Sequence, residues 1–143
     1  MLKKMMEIKD DLAKLILRLA LGGLFILHGF PKMMAGPKLW QNLGQSMANF
    51  YLDFYPVFWG FMAAFSEFFG AILLIFGFLT PLASSLLAAT MFVATSFHYF
   101  RGDSFLHSTS RPLELMFVFI ALAMLGAGKF SLDQKLFAKK NDT

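Results

Sequence analysis

The chain has 143 residues, 57% of them hydrophobic and 15% charged, with a formal net charge of +4. This length admits one small domain, and long uncharged apolar runs point to an integral membrane protein rather than a water-soluble one. With no cysteine, thiol relays, disulfides and thiolate-bound metals are excluded; the basic residues flank apolar runs at the chain ends, which is a topology signal and not a nucleic-acid surface.

Residues 1–14 mix Lys3, Lys4, Lys9 and Lys14 with Glu7, Asp10 and Asp11 and read as a helical lead-in. A first apolar span runs from about residue 12 to 30 and is expected to end at Pro31. Its leader is long and partly acidic, which argues against a cleaved signal peptide. Residues 38–54 place Leu39, Leu43, Met47, Phe50 and Phe54 at helical spacing among Gln41, Asn42, Gln45 and Asn49. That pattern predicts an amphipathic helix lying at the interface or lidding the bundle, with Trp40 and Tyr51 at headgroup height.

The second span, about 57–79, organises the chain. It is long enough to cross a ~30 Å hydrocarbon layer at ~1.5 Å per residue. Gly60, Ala63, Ala64, Glu67, Gly70, Ala71, Leu74 and Gly77 fall on one face, and the phenylalanines fall on the other. Small residues permit close helix approach in a membrane, so this face, with its lone carboxyl, should turn into a bundle. A tight Gly77–Pro81 turn leads to a third span, about 82–100. Arg101 to Ser110 reads as a polar loop, Pro112 opens a fourth span to about residue 125, and a basic tail follows Gly126-Ala127-Gly128. The expected fold is all-α: a single domain over 1–143, with four transmembrane helices and a short amphipathic interfacial helix between the first two. Eight lysines flank one side (Lys3, Lys4, Lys9, Lys14, Lys129, Lys135, Lys139, Lys140) against Lys32, Lys38, Arg101 and Arg111 on the other. This predicts both termini in the cytoplasm.

An ionisable residue inside a span is costly and a functional candidate by default. Glu67 is the strongest, because no helix cap or interface accounts for it; an acid without a partner at that depth favours its neutral, proton-donating form. Arg18, His28 and Lys32 share a face of the first span, and Thr95 and His98 share a face of the third. Glu114 lies in the first turn of the fourth. His28, Lys32, His98 and Glu114 are expected at similar depth, with Glu67 about two turns below, lining one outward-open cavity. Glu67, His28 and His98 are the catalytic candidates; Lys32, Glu114, Arg18 and Thr95 are the ligand-binding ones, and no metal site is expected. Plainer roles stand beside these. Lys32 suits snorkelling to headgroups. Glu114 suits a helix N-terminus. His28 suits a backbone hydrogen bond near Pro31. Arg18 suits a structural role, for example with Asp133.

Arg18-x3-Gly22, His28-Gly29-x-x-Lys32, Glu67-x-x-Gly70, Gly77-x-x-Thr80, His98, Glu114 and Gly126-x-Gly128-x-x-Ser131-x-Asp133 occur in this order over four spans. In that order and spacing the chain resembles the DoxX/DoxD-like family of small bacterial membrane proteins. It departs from the family's pattern at Ala71, often Gly there, and at Pro81, often Arg. The resemblance implies a four-helix bundle in the bacterial plasma membrane and, from some relatives, quinone-linked oxidoreductase systems. On that resemblance the chain is expected to be a quinone-linked oxidoreductase component that takes electrons from a partner redox protein, a membrane subunit or a bound cofactor; the alternative is a non-catalytic accessory or assembly subunit. A b-type haem held by His28 and His98 is a third reading.

Overall fold

The computed structural model describes residues 2–137, with side chains from Met5 onward. Lys139 and Lys140, and the side chains of Lys3 and Lys4, which entered the topology argument, lie outside the described residues. The chain forms helices α1 (Leu2–Met34), α2 (Pro37–Gly44), α3 (Pro56–Phe76), α4 (Thr80–Arg101), α5 (Ser110–Leu125) and α6 (Leu132–Phe137). A 3₁₀ turn, Gln45–Phe50, follows α2, and a π-helical turn, Phe105–Thr109, precedes α5. Four segments are long and apolar enough to cross a membrane: Met5–Met34, Pro56–Phe76, Thr80–Arg101 and Phe105–Leu125.

Two boundaries differ from the expectation. Pro31 does not end the first helix: the Ala35 amide donates to the Pro31 carbonyl at 3.0 Å, and α1 runs on to Met34. Proline removes one donor from the ladder, and a single lost bond does not stop a long, otherwise regular helix. The continuation keeps Lys32 on a helical face. The expected polar loop after α4 instead contains the π-helical turn that leads directly into α5.

α1 packs along α3, α4 along α5, and α2 across the start of α3. Without a hydrophobic force between helices in lipid, close packing depends on small residues. Gly29 has that role: a Cβ there would overlap the backbone of Glu67 and Phe68. Gly60 does the same for α2, since a Cβ would collide with the Trp40 carbonyl. The small-residue face of α3 turns inward as expected, burying Gly60, Ala64, Glu67, Gly70, Ala71 and Leu74. The central core joins Leu21 and Phe25 of α1 with Leu74, Leu87, Phe119 and Leu122. The Phe25 and Phe119 rings meet edge to face at 4.9 Å.

The start of α1 and the stretch after α5 meet at one end of the bundle, called here the terminal end. Arg18 is fully buried and donates from Nη1 to the Leu74 carbonyl at 3.3 Å and from Nη2 to the Phe130 carbonyl. The α3–α4 turn closes on Gly77 with φ +62°, and a Cβ there would run into the Arg18 guanidinium. The Asp133 carboxylate accepts from the Leu79 and Thr80 amides at 2.7 and 3.0 Å, capping α4 from 53 residues away. The Lys129 amide donates to Asp11 at 3.0 Å. A hydrogen bond from the Lys129 ammonium to Glu7, with the charges of Glu7 and Asp11, raises the Lys129 pKa above its ordinary value.

Candidate functional site

Away from the terminal end, α3 and α4 separate around a cavity of about 470 Å³. Ala63 and Glu67 line one wall and Thr90, Val93 and His98 the other, while Leu43 of α2 and Met47 of the 3₁₀ turn roof it. The roof is held in place: the Trp40 indole donates to the Lys32 carbonyl at 2.9 Å, and Phe50 packs on Phe92 at 5.6 Å. The segment expected to lie at the interface or lid the bundle is therefore the lid. Ala89 lines the cavity and is itself exposed, so the cavity opens sideways on the outer surface of the bundle.

Glu67 is buried against this cavity and has a partner. Lys32 Nζ donates to Oε1 at 2.8 Å and to Oε2 at 2.6 Å. The Glu67 side chain is 4% exposed and that of Lys32 33%, so the acid is interior and the cation is partly exposed. The condition for a neutral Glu67, the lack of a partner, is therefore not met, and Lys32 does more than snorkel. Gly29 explains the pairing: it brings α1 within backbone contact of Glu67, and Lys32 lies one turn further along the same helix. A buried ion pair contributes little net stability once desolvation is counted, so its presence beside a cavity points to use.

His98 lines the cavity from α4, and its Nδ1 lies 2.7 Å from Asp103 Oδ2. The end of α4 creates that contact. Gly102 adopts φ +77°, its amide donates to the Tyr99 carbonyl, and the Asp103 amide donates to the His98 carbonyl. This paired C-terminal capping pattern folds Asp103 back over His98. Arg101 Nε stands 3.7 Å from the other Asp103 oxygen.

The other expected site residues lie elsewhere. His28 is exposed on α1, edge-on to Phe25, and does not line the cavity. A haem shared by His28 and His98 therefore does not fit, because the two rings do not face a common space. Glu114 is exposed on α5, outside the cavity. Thr95 spends its hydroxyl proton on the Met91 carbonyl at 2.8 Å and is not a lining residue. Arg18 belongs to the terminal end, bonded to backbone rather than to Asp133. Helical periodicity placed these residues within an arc but did not fix which edge of that arc meets a neighbour. Among the lining or supporting residues that the sequence reading missed are Ser66 and Asp103. Ser66 is buried beside Glu67 on the cavity wall. Asp103 was legible in principle, since a glycine four residues after His98 with an acid behind it is a helix-ending signal that returns the acid to the histidine.

Fold and site together define a small multi-pass membrane protein with a cavity lined by apolar side chains and by Lys32, Glu67 and His98. A family model described as DoxX matches residues 13–99, and the chain belongs to the DoxX family. The matched region holds Lys32, Glu67 and His98 and stops before Asp103, Glu114 and the C-terminal stretch. No curated protein and no solved structure matches the chain.

Proposed function

We propose that the chain is the quinone-binding component of a bacterial plasma-membrane oxidoreductase. The observation that carries this is the apolar, sideways-open cavity whose polar groups are the Lys32–Glu67 pair and His98. A quinone presents carbonyl acceptors on a flat ring with an apolar tail. Two of the three Lys32 N–H donors are taken by Glu67, leaving one for a ring oxygen. His98 supplies a second polar contact, able to donate or accept at the ring nitrogen that does not face Asp103. Trp59 and Phe97 offer aromatic walls, and the opening at Ala89 gives a tail a path into lipid. The volume lies within the ~300–1,000 Å³ usual for small-molecule sites. Reduction of a quinone to a quinol takes up two electrons and two protons. The chain's residues bind, orient and exchange protons, and a partner redox protein supplies the electrons.

The test is binding of decylubiquinone to the purified protein in lipid nanodiscs, followed by quenching of Trp59. One quinone per chain is expected, with affinity lowered about tenfold or more in Ala63→Phe, which fills the cavity. Absence of quenching in the wild type rules the reading out. Stable capture of a redox partner by a chain that binds no quinone is the result expected of an accessory subunit instead. The lysine distribution further supports both termini in the cytoplasm. A C-terminal alkaline phosphatase fusion should be inactive and a green fluorescent protein fusion bright; the reverse contradicts this orientation.

A further inference from the structure

His98 has two ring nitrogens, and the structure treats them differently. Nδ1 faces the Asp103 carboxylate at 2.7 Å. An ionised carboxylate only accepts hydrogen bonds, so the ring must carry a proton at Nδ1 whether neutral or cationic. Nε2 has no partner among the described residues, and His98 is a wall of the cavity. We infer that Asp103 is a positioning residue that confines the exchangeable proton of His98 to Nε2, so that the cavity binds both the carbonyl and the hydroxyl form of one ring and selects between them by His98 protonation. The ligand named here rests on the quinone reading; the tautomer does not.

The selection follows from donor and acceptor counts. With His98 neutral, Nε2 is an acceptor and suits the hydroxyl of a quinol. With His98 cationic, Nε2 is a donor and suits the carbonyl of a quinone. Lys32 donates in either case, and both carbonyl and hydroxyl oxygens accept, so Lys32 does not discriminate. The charged groups near His98 are few. On its own helix end they are Asp103 and Arg101, whose guanidinium also lies over the Phe97 ring at 5.6 Å. Across the cavity they are Lys32 from α1 and Glu67 from α3, already paired with each other. From the lid, Asn42 and Ser46 reach the cavity and bring no charge. The π-helical turn and α5, which pack against α4, carry His107, Arg111 and Glu114, and none of these lines the cavity. Without the carboxylate, the neutral ring is free to hold its proton on Nε2, where it donates at every pH and the selection is lost.

Two measurements test this. In ¹⁵N NMR of the histidine-labelled protein in nanodiscs, the His98 signals are assigned by their absence from His98→Gln. Neutral His98 should be the Nδ1–H tautomer in the wild type and in Asp103→Glu, and should shift toward Nε2–H in Asp103→Asn and Asp103→Ser. The second measurement is the affinity ratio of decylubiquinol to decylubiquinone. It should rise about five- to tenfold in the wild type as rising pH takes His98 from cationic to neutral, the scale of one hydrogen bond. It should change less than about twofold in Asp103→Asn and His98→Gln, while Asp103→Glu restores the wild-type rise. A wild-type Nε2–H tautomer, or an Asp103→Asn protein that keeps both the wild-type tautomer and the wild-type pH dependence, overturns the inference. A wild type that binds neither form sinks the quinone reading, and the NMR result still decides the role of Asp103.

Discussion

The two ends of the bundle hold their buried polar groups by different means. At the terminal end, Arg18, Asp133 and Asp11 bond to backbone: to the carbonyls of Leu74 and Phe130 and to the amides of Leu79, Thr80 and Lys129. Around the cavity, side chains bond to side chains: Lys32 to Glu67 and His98 to Asp103. The difference separates scaffold from site. A group that satisfies backbone cannot let go without taking a hydrogen bond from a peptide group. A side-chain pair beside open space can exchange one of its contacts with a ligand. Burial alone would have ranked Arg18 first, because it is the more deeply buried charge; the identity of the partner reverses the ranking.

The largest expected effect lies at the terminal end. Arg18→Ala removes two charge-assisted hydrogen bonds, to the carbonyls of Leu74 and Phe130, where α1, α3 and the chain after α5 meet, and empties a fully buried site. At about 1.5–3 kcal/mol for each such bond, the loss should approach the whole stability of a small bundle. Size-exclusion chromatography in detergent should show aggregated protein, or a melting temperature lowered by well over ten degrees. A well-folded Arg18→Ala protein that has lost quinone binding alone would turn the comparison around and make Arg18 part of the site. Lys129 contributes little by contrast. Its raised pKa means that its attraction to Glu7 and Asp11 is fully present below the ordinary lysine range and disappears only in strong alkali.

How much of this contrast the sequence carried can be traced to particular residues. The four spans and the inward face of α3 were legible, because glycine and alanine at helical spacing mark close packing and long apolar runs have one stable outcome in lipid. Glu67 stood out for the same reason. Its partner did not. Lys32 lies 35 residues away, past the proline expected to end α1, and the pairing depends on that helix continuing and on Gly29 letting it approach. His28 was misplaced by a small rotation: Phe25, one turn before it, is buried, while His28 falls on the exposed edge of the stripe. Tertiary approach angles, which a single sequence does not encode locally, decide such edges.

A middle-sized effect is expected from Glu67→Gln. The amide keeps the shape and still accepts one bond from Lys32, whose partly exposed ammonium can reach toward the headgroups when released. The fold should therefore survive, with a melting temperature within a few degrees of the wild type. Quinone affinity should fall about tenfold, or about 1.4 kcal/mol, because Lys32 no longer has two donors fixed and its third aimed. Unchanged affinity would remove the pair from the site and leave the cavity as a packing defect at the lid.

The smallest effect is expected at His28, and it bears most directly on where the site ends. His28 and His98 are alike in type and were expected at the same depth, yet only His98 borders the cavity. His28→Leu replaces an exposed imidazole by a side chain that lipid solvates at least as well, so stability should move by no more than about 0.5 kcal/mol. Decylubiquinone affinity should change less than twofold, against about fivefold or more for His98→Leu at a pH where wild-type His98 is cationic, since that variant loses one hydrogen bond to the ring carbonyl. Equal losses in the two variants would mean that the ligand reaches around α1 to the Phe25 side. The boundary drawn by Gly29, which seals α1 onto α3 between His28 and Glu67, would then have to open for binding.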